Sequence, residues 1–143
     1  MAGLKSLPYG RDVSNEWGAY IYEDQGKYFV SAPIEGGPQS LPLFSDITTT
    51  NDVNGNITGL ITSAGGHQVV ETLHTHVVGE AGLNLSSGDV QYAERFRVNM
   101  SLRSRSSVRT YDHTVNNTRQ YANGNRYKEH PGVGVCRGKD CGF

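Results

Sequence analysis

Hydrophobic and polar positions alternate through Gly18 to Glu23, where Ala19-Tyr20-Ile21-Tyr22 predicts a strand. They alternate again over Lys27 to Ala32, where Tyr28, Phe29 and Val30 supply a return strand. Asp24-Gln25-Gly26 between the two has the composition of a hairpin turn. Residues 33–56 lose this pattern. With Pro33, Gly36, Gly37, Pro38 and Pro42, then the polar run from Asn51 to Asn56, they are predicted as loop. Strand character resumes over Ile57–Thr62, turns at Ser63-Ala64-Gly65-Gly66, and returns over His67–Thr75, the longest strand expected. Side chains on a strand point alternately to its two faces, so Val70, Thr72, His74 and His76 should share one face.

After a glycine-containing loop at 77–86 the period lengthens. Ser86 or Ser87 can cap a helix that begins near Gly88, with Val90, Ala93, Phe96 and Met100 as its buried stripe. Two further strands are expected, about Val98–Ser104 and Val108–Asp112. Residues 113–143 are polar and rich in Asn, Gly and Arg, which predicts loop or short helix. The pattern describes a single domain over 1–143, of α/β class, with a mixed sheet flanked by helices and 113–143 as a polar tail.

Composition sharpens this outline. With 143 residues, 36% of them hydrophobic and 18 of them glycine, the chain is built for short elements and many turns, not a helical bundle. No apolar run approaches the roughly 20 residues that span a bilayer, and no membrane association is expected. The N-terminus, with Lys5, Pro8, Arg11 and Asp12, lacks the apolar core of a signal peptide. The net charge of -1 conceals an asymmetry: residues 1–90 carry three Lys/Arg against ten acids, and residues 91–143 carry ten against four. Arg95, Arg97, Arg103, Arg105 and Arg109 could form a basic strip for nucleic acid, or a solvated face. Cys136 and Cys141 are spaced for a small disulfide loop or half a metal site, and two free thiols on a tail fit equally well.

The informative segment is His74-Thr75-His76, followed after nine residues by Ser86-Ser87-Gly88-Asp89. Two histidines one residue apart at a strand end aim their imidazoles the same way and can grip one ion. A carboxylate on the first turn of the next helix can supply a third ligand. Two imidazoles and one carboxylate leave a coordination position open for water, which is the mark of a catalytic rather than a structural zinc site. His-x-His alone is weak, since surface histidine pairs are common. The Ser-x-x-Asp at loop distance is what strengthens it.

His74-Thr75-His76 with Ser86-Ser87-Gly88-Asp89 resembles the motif of the JAB/JAMM metalloproteases: a Glu, then His-Ser/Thr-His, then Ser-x-x-Asp. The resemblance implies a JAB/cytidine-deaminase-like fold with His74, His76 and Asp89 as zinc ligands. It further implies Glu16 as the base that activates water and Ser86 as the helper of the oxyanion. Glu16 opens the strand Glu16-Trp17-Gly18-Ala19-Tyr20-Ile21; Glu23, Glu71 and Glu80 are the other carboxylates weighed for that role. The chain also looks like the JAB-like domains at the C-terminal ends of bacterial Rhs and contact-dependent polymorphic toxins. The likeness covers about residues 12–112, including Tyr28 to Pro38 and Val108-Arg109-Thr110-Tyr111-Asp112. Two departures are plain: nine residues rather than seven precede the serine, and Val77 stands where proline is common. A longer loop costs little closure entropy.

The expectation is therefore a zinc-dependent hydrolase of peptide or isopeptide bonds. It would be a toxin or effector domain that a bacterial secretion system delivers into a target cell, with a cognate immunity protein as partner. The short lead-in before Glu16 suggests a domain cut from a longer protein. A metal-dependent nuclease toxin and a non-catalytic JAB-like binding module are the alternatives. Of the remaining histidines, His67 is expected at the surface, His113 as a candidate outer partner of the site, and His130 as incidental. Trp17 is expected in the core.

Overall fold

The computed structural model describes residues 7–8, 13–40, 44–77, 85–103, 107–114 and the backbone of 127–131. Within them, nine strands form one mixed sheet, accompanied by one helix. The strands are β1 (Trp17–Asp24), β2 (Lys27–Val30), β3 (Ile34–Glu35), β4 (Ile47–Asn51), β5 (Ile57–Thr62), β6 (Gln68–Thr75), β7 (Asn99–Arg103), β8 (Ser107–Tyr111) and β9 (Tyr127–Pro131). The helix, α1, spans Ser87–Phe96. The main path through the sheet runs β2-β1-β6-β7-β8-β9, with β5 also pairing to β6 and β4 to β5.

The β1–β2 turn is tight because Gln25 and Gly26 both take positive φ, 50° and 76°, as a two-residue type I′ hairpin requires. Two strands, β3 and β4, lie in the stretch that the pattern assigned to loop, and β9 lies in the tail. The threonines of β4 are only half-buried or exposed, so no hydrophobic alternation marks the strand. It exists through pairing with β5, helped by a Thr50–Thr58 hydroxyl contact of 2.9 Å.

Parallel pairing of β6 with β7 sets the fold of the site. A parallel neighbour needs a crossover, and α1 is that crossover. Opposite partners in the ladder share a face, so His74, Leu102 and Arg109 lie on one side, with Met100 and Tyr111. The helix packs on that side: Ala93 joins Leu85, Met100, Leu102 and Tyr111 in one apolar cluster, and Tyr111 Oη donates to Glu94 Oε1 at 2.5 Å. Tyr20, Leu60, Val69 and Val98 form a second cluster against Phe96. The opposite face buries Ala19, Leu73 and Val108 with Leu7, and Trp17 packs against them as expected. A mixed sheet is thus present; flanking by helices is not what the described residues show, since they contain the single helix α1.

Two further expectations need correction. Met100 is buried on β7 rather than on the helix. Val70 does not simply continue the histidine face, because Ile21 opposes Glu71 while Tyr22 opposes Val69. Two residues thus answer one at this bulge, which breaks the alternation and brings Val69 onto the side of Tyr20 and Thr72.

Candidate metal centre

His74 is the penultimate residue of β6, and His76 follows just past the strand's end. Gly18 of β1 stands directly opposite His74. Continuing that register by two residues brings Glu16 opposite His76. Glu16 is fixed there by its backbone: its N–H donates to the Gly37 carbonyl, and its own carbonyl accepts from Gly36 N–H, both at 2.8 Å. Trp17 N–H donates to Thr75 Oγ1 at 3.1 Å, tying the two strand ends together.

Asp89 arrives from the other side of the crossover. Ser86 is the N-cap of α1, with its Oγ accepting from Asp89 N–H at 3.1 Å, while Ser86 N–H donates to Asp89 Oδ2 at 2.8 Å. This is a reciprocal capping box, with aspartate in place of the usual Glu or Gln. It orients the carboxylate as well as starting the helix. The same Oδ2 lies 3.3 Å from His74 Nε2 and 3.4 Å from His76 Nε2, and the two Nε2 atoms are 3.3 Å apart. Glu16 Oε1 is 3.6 Å from His76 Nε2.

Those three near-equal separations are informative. Charge-assisted hydrogen bonds of this type close to about 2.7–2.9 Å. Ligands about 2.0–2.1 Å from a zinc ion, at tetrahedral angles, stand about 3.3–3.4 Å from one another. His74, His76 and Asp89 therefore match one face of such a tetrahedron, and the group that could hold an ion among the described residues consists of these three. All three are buried, as is Glu16 at 4% exposure, so the charges are withheld from bulk water. The group fits a divalent cation, and its donor set of two imidazoles and one carboxylate suits zinc among several metals.

Burial by itself would raise the pKa of Asp89. The neighbouring His74 and His76 imidazoles, the field of His74 and the Ser86 N–H outweigh burial and hold the carboxyl well below the usual carboxylate range. Asp89 is thus ionised and ready to ligate. Behind the site, His74 Nδ1 is buried and meets no hydrogen-bond partner among the described residues. The acceptor that commonly orients a ligating histidine is therefore not among them.

The other candidates are placed elsewhere. Glu71 lies on the opposite sheet face, where it accepts a hydrogen bond from Ser101 Oγ, and Ser101 in turn contacts Thr110. Glu23 pairs with Tyr28 in the β1–β2 hairpin. Glu80, Arg105, Cys136 and Cys141 lie outside the described residues. His113 is not beside the site: its N–H and Nδ1 both meet Asn99 Oδ1, at the start of β7, the end of the strand away from the His74 level. His67 is at the surface, as expected, 3.7 Å from Asp24. Among the described arginines, Arg103 is buried, whereas Arg95 and Arg97 sit exposed at the end of α1, so these three do not share one exposed strip.

Comparison with protein-family models, with curated proteins and with solved structures gave no match.

Proposed function

We propose that the chain is a zinc-dependent hydrolase with a JAB/JAMM-like fold, cleaving an amide or isopeptide bond. The observation that carries this reading is the triangle of His74 Nε2, His76 Nε2 and Asp89 Oδ2 at 3.3–3.4 Å, with the buried Glu16 carboxylate 3.6 Å from His76. An ion held by these three residues supplies a Lewis acid that acidifies water and polarises a carbonyl. Glu16 takes the proton that water loses on attack and returns it to the departing amine. Ser86, beyond capping the helix, offers its hydroxyl hydrogen to the developing oxyanion. Burial of the Glu16 and Asp89 carboxylates strengthens each of these interactions.

In biological terms, the reading is a toxin or effector domain, delivered into a target cell and restrained by an immunity protein. The sequence resemblance supports that role.

The test uses Glu16→Gln, which keeps the side chain's shape and removes its basicity. Zinc-loaded wild type and variant are incubated with fluorogenic peptides and with isopeptide-linked peptide conjugates, and products are read by mass spectrometry. Cleavage that falls about a hundredfold or more in the variant, with zinc content unchanged, is expected. Equal cleavage by both proteins would remove Glu16 from the reaction. Nicking of plasmid or RNA that is lost in Asp89→Ala would replace the acyl substrate with a phosphodiester.

A further inference from the structure

A cavity of about 710 Å³ opens between the C-terminal end of α1, the β4–β5 turn and the segment after β8. Its lining includes Arg95, Arg97, His113, Asp52, Asn56 and Thr58. From Asp89 to Arg97 the helix rises about 12 Å, so this cavity is separate from the metal centre.

Arg97 lines one side of it. It is the C-cap of α1, with φ 55 and ψ 46, and its N–H donates to the Ala93 carbonyl. Glycine is favoured in this left-handed conformation, and an L side chain there costs about 1 kcal/mol. No ion pair or hydrogen bond to the Arg97 guanidinium exists among the described residues; the left-handed turn itself ends the helix, letting Val98 N–H donate to the Ala93 carbonyl at 3.1 Å and burying Val98.

The rest of the lining agrees. Arg95 lays its guanidinium over the Phe96 ring, 5.3 Å from the centroid, which restricts it beside the opening. Asp52 is occupied by its own turn: Oδ1 accepts from Asn54 N–H and Asn56 N–H at 2.8 and 3.0 Å, and Oδ2 accepts from Asn56 Nδ2 at 3.3 Å. It forms no ion pair with either arginine. His113 receives a fixed orientation, since Asn99 Oδ1 accepts its backbone N–H and must therefore also accept from Nδ1. One cation would suffice to offset the partial negative charge at the end of a helix; here there are two.

We propose that this cavity binds a small phosphorylated molecule bearing hydroxyl groups. Arg95 and Arg97 grip the phosphate oxygens, and Asn56 and Thr58 meet the hydroxyls. Guanidinium groups suit phosphate because their planar N–H pairs match its oxygens. The volume falls within the 300–1,000 Å³ typical of small-molecule sites, several times what a bare phosphate fills.

The full chain is titrated calorimetrically with ribose 5-phosphate, inorganic phosphate and ribose. Binding is expected to be tightest for ribose 5-phosphate, weaker for phosphate and undetectable for ribose. Arg97→Gly should hold or raise the melting temperature, because glycine relieves the left-handed strain, and should weaken ribose 5-phosphate at least tenfold. Asp89→Ala, which disables the metal centre, should leave that affinity unchanged. Three results would each overturn the proposal: no binding of ribose 5-phosphate at millimolar concentration, wild-type affinity in Arg97→Gly, or loss of affinity in Asp89→Ala. Equal affinity for phosphate and ribose 5-phosphate would contradict the hydroxyl contacts.

Discussion

Replacing Ser86 with alanine separates the two things that this residue does near the metal centre. Its Oγ accepts the Asp89 N–H at 3.1 Å and so caps α1, whereas the bond from Ser86 N–H to Asp89 Oδ2 at 2.8 Å is made by the backbone. Ser86→Ala removes the first and can keep the second. Loss of a serine cap costs about 1 kcal/mol. For a domain of this size that lowers the melting temperature by about 3–5 °C. Asp89 must then be ordered at the moment of metal binding. That cost can be no larger than the cap that was lost, which limits the fall in zinc affinity to about fivefold. Ser86→Asp, an equally good cap, should recover the stability. Thermal melts of the metal-free protein and competition with a chromophoric chelator give both numbers. Zinc affinity reduced a hundredfold or more, or an unchanged melting temperature, would show that the capping box is not what holds Asp89.

Further expectations follow from the same geometry. Zinc at a hundred times its dissociation constant should stabilise the fold by about 2.7 kcal/mol, a melting shift of about 10 °C; Asp89→Ala should abolish the shift. Because Asp89 is held below its ordinary range, its contribution to stability is complete above the unfolded value of 3.8 and lost as the pH falls below it. Acid titrations of metal-free wild type and Asp89→Asn should therefore begin to approach one another only as the pH falls below about 4, and continue to do so at still lower pH. Tyr20 donates to Asp46 Oδ2 at 2.5 Å, and burial, then that bond, pushes its hydroxyl pKa upward. Its contribution is full below the unfolded value of 10.0 and is lost as the pH rises above it, so Tyr20→Phe should be about 1 kcal/mol less stable at pH 7 and lose less stability between pH 10 and 11. Leu102→Ala, at a position with no exposure, should cost about 2–5 kcal/mol by chemical denaturation without changing the metal ligands.

The periodicity of the chain carried β1, β2, β5, β6 and α1 because each has its own local signal: alternation, a glycine turn, or a serine cap. Ile57–Thr62 matches its expected bounds, and Ser86 caps where the pattern placed a cap. What local pattern could not carry depends on partners. β4 and β9 are strands because β5 and β8 pair with them, and the bulge opposite Ile21 and Tyr22 exists only in the pairing of β1 with β6. The three residues that could hold a metal, His74, His76 and Asp89, were legible from chemistry and spacing. Glu16 required more, since its closeness to His76 follows from the register that sets Gly18 against His74. Arg97 was legible only as one of five arginines of a possible strip; its left-handed turn at the end of α1 belongs to the helix termination that the structure shows.

Elemental analysis of the purified chain, beside His76→Ala, tests the central claim most directly. The account predicts one equivalent of zinc in the wild type and almost none in the variant, with both proteins folded by circular dichroism. A wild type without bound metal after dialysis against micromolar zinc, or a variant that keeps a full equivalent, would contradict it.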